Sequence, residues 1–411
     1  MLEGIRRMGM GLAIAGLIVA ACGGSSTPAP TSPPAPTVTT PPAATTAATT
    51  APSSGGGSGQ LYKIAFQGAL TGPVAVIGQP MENAVALAVE QGKAKGLNLD
   101  VLLGDDQVDP AQAPAVAQKV IGDGHVVGVV GPMFGSDTNA VGPLYTQANM
   151  AMLTIGSAAA LSKNGWTLFR VIPNDDTQGA VAADYAAKVL NAKKFAVIDD
   201  ATQYGHGLAL VVASQAVKDG AAVAEQDQID PKADDFSATI GKILASGADT
   251  VFLGASFPQT AQFNRQLRDK GFKGFFFVPD GSVTPDFAKQ AGTEGEGTYF
   301  TCQCAPVPAY GGPTSGPLAQ FVTDYKAKFG QDPQAYAAEC YDAANMVIAA
   351  IQSGAATPQA VTAWLKTANY QGVTKSYAWD STGELKTSSV NMYQIKNGQI
   401  TWLGLSTDLI K

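Results

Sequence analysis

The sequence predicts an α/β protein of two similar lobes, each a doubly wound parallel sheet. Two observations carry this. From residue 61 onward, short β-branched apolar runs alternate with Ala-rich segments of helical period. Strands separated by helices of that length form βαβ units with parallel pairing. The alternation then restarts after residue 172, which points to a second lobe rather than one large sheet.

Taken in order, 62–66 reads as a strand and 80–91 as a helix with Met81, Val85 and Ala88 on one face. Strands follow at 99–103, 126–130, 152–155 and 168–172, with helices at 110–121 and 138–148. The second run gives strands at 195–198, 222–226, 250–253 and 275–278, and helices at 207–218, 236–245 and 260–270. In the tail, 317–329, 335–351 and 358–368 read as helices. Residues 376–380 and 390–396 read as paired strands, with Gly383 and Gly398 as turn residues. These extra elements are expected to complete the lobes by crossing back between them. Open parallel sheets bind ligands at the carboxyl ends of their strands, so the informative residues are expected in the loops just after strands.

The N-terminus carries an export signal. Arg6 and Arg7 precede an apolar run over 8–21, too short to span a bilayer comfortably and closed by small residues. Val19-Ala20-Ala21-Cys22-Gly23 resembles the bacterial lipobox, in which the cysteine is diacylated and becomes the mature N-terminus. Residues 1–21 are therefore expected to be a signal peptide. Residues 22–59, which from Ser25 are almost wholly Thr, Pro, Ala, Ser and Gly without charge, are expected to be a lipid-anchored disordered tether. Of the remaining cysteines, Cys302, Cys304 and Cys340, one pair is expected to form a disulfide. Cys-x-Cys without a nearby His is poor metal spacing.

A net charge of −7 leaves no basic footprint for nucleic acid. The only histidines are His125 and His206, and no nucleophile elbow, His-Glu-x-x-His motif or phosphate loop is found. The paired carboxylates Asp105-Asp106 and Asp199-Asp200 follow strands and read as solvated loop ends or helix caps. These absences favour binding over catalysis, with no cofactor and no metal.

Several loops resemble those of the branched-chain-amino-acid-binding family of periplasmic proteins. They are the segment from Ile64 to Pro73, Gly104-Asp105-Asp106 with Asp109-Pro110, and Val129-Val130-Gly131-Pro132 followed by Ser136. Phe169-Arg170-Val171-Ile172-Pro173 with Gln178-Gly179, Asp199-Asp200 with Tyr204-Gly205, and Val278-Pro279-Asp280-Gly281 continue the likeness in the family's order. The resemblance implies the type I periplasmic-binding-protein fold, two lobes joined by a three-crossing hinge. The lobes are expected at 60–175 with 306–373 and at 176–305 with 374–411.

The resemblance also implies site residues. Ser136, or the backbone N–H of Gly135, would hold a ligand carboxylate, with Asp137 adding a negative charge beside that anion and Thr138 capping the following helix. Gly156, Ser157 and Ala158 would offer backbone and hydroxyl contacts. Tyr204 would lie over the ligand and Asp280 would pair with its α-ammonium, a strong charge-assisted bond in a dry cleft. Ile77, Phe257 and Tyr204 would suit an apolar or aromatic side chain. The implied function is an extracytoplasmic lipoprotein that hands an amino acid or analogue to the permease subunits of an ABC importer. A ligand sensor for a membrane receptor, a binder of a small carboxylate or amide, and an exported enzyme are the alternatives.

Overall fold

A computed structural model describes residues 59–72 and 74–411; the expected signal peptide, Cys22 and nearly all of the expected tether lie outside the described residues. The first sheet is built from β1 (Tyr62–Gly68), β2 (Leu99–Asp105), β3 (Val126–Val130), β4 (Met152–Thr154) and β5 (Leu168–Arg170). Its order is β2-β1-β3-β4-β5, parallel throughout. Every residue of β3, Val-Val-Gly-Val-Val, is buried, as expected for a central strand covered on both faces. Helices α1 (Ala75–Ala94), α2 (Ala113–Gly122) and α3 (Gly135–Gln147) connect these strands.

The second sheet contains β6 (Lys194–Asp199), β7 (Ala222–Gln228), β8 (Thr250–Gly254), β9 (Phe275–Val278) and β10 (Tyr299–Cys302). The order β7-β6-β8-β9-β10 is parallel and continues into an antiparallel hairpin. Around it lie α4 (Asp175–Asp184), α5 (Gln203–Lys218), α6 (Ser237–Ser246), α7 (Gln259–Asp269) and α8 (Pro285–Ala291). In the tail, α9 (Pro317–Phe329) and α10 (Ala337–Gln352) pack on α1, and α11 (Pro358–Thr367) packs on β3. The chain therefore passes between the sheets three times: before α4, between β10 and α9, and on the way to the final hairpin.

Sequence and structure differ in the tail. Residues 376–380 do not pair with 390–396. Instead β11 (Tyr370–Gln371) pairs with β12 (Ser376–Tyr377), and β13 (Asn391–Lys396) pairs with β14 (Gln399–Leu405). The turn at Asn397-Gly398, with φ of 54° and 72°, matches the left-handed pair that a two-residue hairpin requires. Gly383 does turn the chain, inside a short ladder where Trp379 bridges Leu385. That segment is tied to β5. The buried Arg170 guanidinium forks onto Glu384 at 3.0–3.2 Å, and Trp379 donates to the Arg170 carbonyl at 2.7 Å. Cys302 and Cys304 form the disulfide, and Cys340 is free and buried.

Candidate functional site

Each sheet has a switch point, between β1 and β3 in one and between β6 and β8 in the other, and loops at such points form ligand crevices. In the first sheet, β3 runs into Gly131-Pro132 and α3 opens at Gly135 with Phe134 as its N-cap. The Gly135 and Ser136 N–H groups thus belong to the first helical turn, whose donors have no intrahelical partner. Thr138 does not cap this helix. It sits one turn inside, donating its hydroxyl back to the Phe134 carbonyl at 2.7 Å. The reciprocal role falls to Asp137, whose carboxylate accepts the Phe134 N–H at 3.3 Å and the Ser136 hydroxyl at 3.1 Å.

The loop after β4 presses against this turn. A Cβ on Gly156 would lie 2.6 Å from the Thr138 hydroxyl and 3.0 Å from the Phe134 carbonyl, so only glycine fits. The Gly156 N–H is itself committed to Thr154 at 2.8 Å, so it does not face a ligand. A Cβ on Gly135 would meet that of Ala158 at 3.1 Å, which places the two loops in contact. The Ala158 carbonyl accepts from Arg170 at 3.0 Å, and the Ser157 carbonyl accepts the Asp175 N–H at 2.9 Å.

In the second sheet, Asp280 follows β9 and gathers three donors. Tyr204, in the first turn of α5, donates at 2.7 Å, Gln178 of α4 donates at 2.5 Å, and the Tyr336 hydroxyl donates to the other carboxylate oxygen. Burial and the Asp280 charge push both tyrosine pKa values well up, so the phenols remain protonated donors. Phe257 borders the same turn, its N–H donating to the Gly281 carbonyl at 3.0 Å. Ile77, in the first turn of α1, is half-buried against the core. Among the described residues, no hydrogen bond joins Gly135, Ser136 or Ile77 to the Asp280 cluster.

Tyr336, Gln178 and Asp175 were not singled out as site residues from sequence. Tyr336 comes from the edge of α10, on the opposite lobe from Asp280, so its hydroxyl ties the two lobes together. Asp175 is buried where the chain first crosses between sheets, and Gln303 of the second crossing faces it at 3.5 Å. Burial raises the Asp175 pKa to about 7, with Asp280 adding to the rise and Ser157 and Arg170 opposing it. Of the paired carboxylates after β2 and β6, Asp105 stays partly exposed and the other three do not. Asp106, Asp199 and Asp200 are buried, and they accept loop N–H groups such as those of Val108, Ala201 and Thr202. His206 is exposed and bonds Asp199 at 3.1 Å, on a face lined by Leu210 and Gln228 rather than by Asp280. A depression of about 490 Å³ between Arg268, Phe272, Thr293 and Tyr299 holds none of the predicted residues. It adjoins the first residues of β9 and β10, the end away from the switch-point loops.

The chain can now be set beside known proteins. The family model described as "Periplasmic binding protein" matches residues 62–399. An "Amino acid binding protein" of Pseudomonas aeruginosa is 32% identical over 346 residues, covering 80% of this chain and 89% of the relative. The "Leu/Ile/Val-binding protein" of Escherichia coli K12 is 32% identical over 331 residues, covering 79% and 88%. The crystal structure of a leucine-binding protein from Thermotoga maritima superimposes with a TM-score of 0.74 at 26% identity, covering 84% of this chain and 98% of that one. The family match over 62–399 and the relatives at 32% identity agree with the fold: the chain belongs to the periplasmic binding proteins, extracytoplasmic proteins that bind solutes.

Proposed function

We propose that the protein captures an amino acid or close analogue between its lobes and delivers it to an ABC importer, tethered outside the membrane by a lipid on Cys22. The lobes are taken as 60–175 with 306–373 and 176–305 with 374–411, except that residues 376–385 lie against β5 of the first sheet, so the last crossing follows them. The observation that carries the reading is the Asp280 carboxylate. A carboxylate has about four acceptor positions, and Tyr204, Gln178 and Tyr336 occupy three. The fourth suits a ligand ammonium, held by a charge-assisted bond.

The other end of the ligand finds donors at the start of α3. The Gly135 and Ser136 N–H groups with the positive pole of a 13-residue helix favour a carboxylate. Ser157 and Ala158 line the adjoining loop. Ile77, Phe257 and the Tyr204 ring leave an apolar surface for an aliphatic or aromatic side chain. Relatives named for binding amino acids, and leucine, isoleucine and valine in particular, support the same class.

Calorimetric titration tests the reading, after partial unfolding and refolding to strip carried-over ligand. The twenty amino acids and a few small carboxylates and amides are titrated in turn. One-to-one binding of an aliphatic or aromatic amino acid supports it; binding of acids or amides alone refutes the ammonium role of Asp280.

A further inference from the structure

Asp137 is a fully buried carboxylate in the turn assigned to the ligand's own carboxylate. Its surroundings are acidic or neutral. Asp106, from the loop after β2, is also fully buried and held by Gln67 of β1 at 3.0 Å; Gln67 in turn accepts from Tyr145 of α3 at 2.5 Å. Asp105 stands next to Asp106, and Thr138 and Thr154 fill the β4 side. Among the described residues, no Lys, Arg or His forms an ion pair with Asp137 or Asp106.

The hydroxyl of Ser136 makes the difficulty concrete. It has one proton and donates it to Asp137. The same proton cannot also serve a ligand carboxylate. If Asp137 carries a proton, the chain reverses: Asp137 donates to the Ser136 oxygen, and the Ser136 hydroxyl donates to the ligand.

We propose that Asp137 is a specificity-determining residue that takes up one proton from solvent as a ligand carboxylate binds, turning Ser136 from its own donor into the ligand's donor. The inference rests on placing that carboxylate at Gly135 and Ser136. An O–H bond forms on Asp137 Oδ1 as a hydronium ion or buffer acid gives up its proton and leaves as water or conjugate base; no other covalent bond changes, and the carboxylate charge is neutralised by that uptake. The environment is already poised for this, since burial, reinforced by Asp106, raises the Asp137 pKa to about 7. Affinity for amino acids is therefore flat below pH 7 and weakens about tenfold per pH unit above it.

The test is titration of L-leucine and L-phenylalanine into the full chain at pH 8.5, in Tris and in phosphate, whose ionisation heats differ. Asp175 titrates over the same range, so the Asp137→Asn arm is what assigns any uptake to Asp137. The expected result is uptake of close to one proton, seen as different apparent heats in the two buffers. Asp137→Asn keeps an acceptor for the Phe134 N–H and a fixed donor for Ser136, and is expected to abolish both the uptake and the pH dependence. Ser136→Ala is expected to bind more weakly, without uptake. Binding with equal heats in both buffers overturns the inference while leaving the amino-acid reading intact. Absence of heat with any amino acid in either buffer overturns both.

Discussion

Tyr336 holds a backbone φ of +68°, a region that residues with a Cβ adopt only when their surroundings impose it. The reward is geometric: its hydroxyl reaches Asp280 beyond the end of β9. This bond joins residues on opposite lobes. Tyr336→Phe is therefore expected to weaken ligand binding roughly tenfold, since a hydrogen bond to a charged group is worth about 1.5–3 kcal/mol, while thermal stability of the free protein changes little. Unchanged affinity by calorimetry would remove Tyr336 from the site. Sequence pointed to Asp280 and Tyr204, which the structure joins at 2.7 Å. It did not point to Tyr336, because Ala-Tyr-Ala-Ala reads as the start of a helix and nothing local marks a positive φ. It also gave Gly156 a ligand contact, whereas the N–H turns inward to Thr154; which way a loop N–H faces is decided by the packing of α3, not by the loop's own residues.

At the scale of elements, long amphipathic segments were legible and short or uniformly buried ones were not. The helix at 317–329 stands where expected, with apolar residues spaced at helical period. Helix α4 was missed: its sequence, Asp-Asp-Thr-Gln-Gly-Ala-Val-Ala-Ala-Asp, is buried at six of ten positions and lacks a contrasting face. Strand β10 was missed because four residues, all buried, give no alternation. The terminal hairpin was mispaired for a related reason. Trp379 and Leu385 form a small ladder of their own against β5, so residues 376–380 were already engaged. The true partner of β13 follows directly through Asn397-Gly398. Both turn N–H groups donate to Glu296, at 2.9 and 3.1 Å, and Gly398 has φ +72°. Gly398→Ala is expected to cost about 1 kcal/mol in urea unfolding and to leave ligand affinity unchanged, because the turn lies outside the binding loops. A loss of affinity would contradict that separation.

The whole molecule places two strongly perturbed acids where lobes and loops meet. Asp137 and Asp175 both rise from 3.8 to about 7. A raised folded-state pKa means that the protonated form is favoured by folding. Their stabilisation is complete below the unfolded value, near pH 4, and lost as pH climbs through 7, with a total on the order of a few kcal/mol. The melting temperature of the ligand-free protein is expected to fall by several degrees between pH 5 and pH 8. Asp175→Asn should flatten that slope; a melting temperature that climbs over the same interval would count against these assignments. The two-lobed architecture was legible because the strand–helix rhythm restarts at the first crossing. The three crossings came only from the family resemblance and not from local pattern; pairs far apart in sequence, such as Arg170 with Glu384, hold residues 376–385 on β5 and no local signal marks them. The central claim is that Asp280 reads the ligand's ammonium group in the cleft. It is tested most directly by titrating L-leucine and its des-amino analogue, 4-methylpentanoate, against the wild type and Asp280→Ala. The account predicts that the wild type prefers leucine at least a hundredfold, and that Asp280→Ala binds both weakly and alike. Leucine bound equally well by both proteins would contradict it.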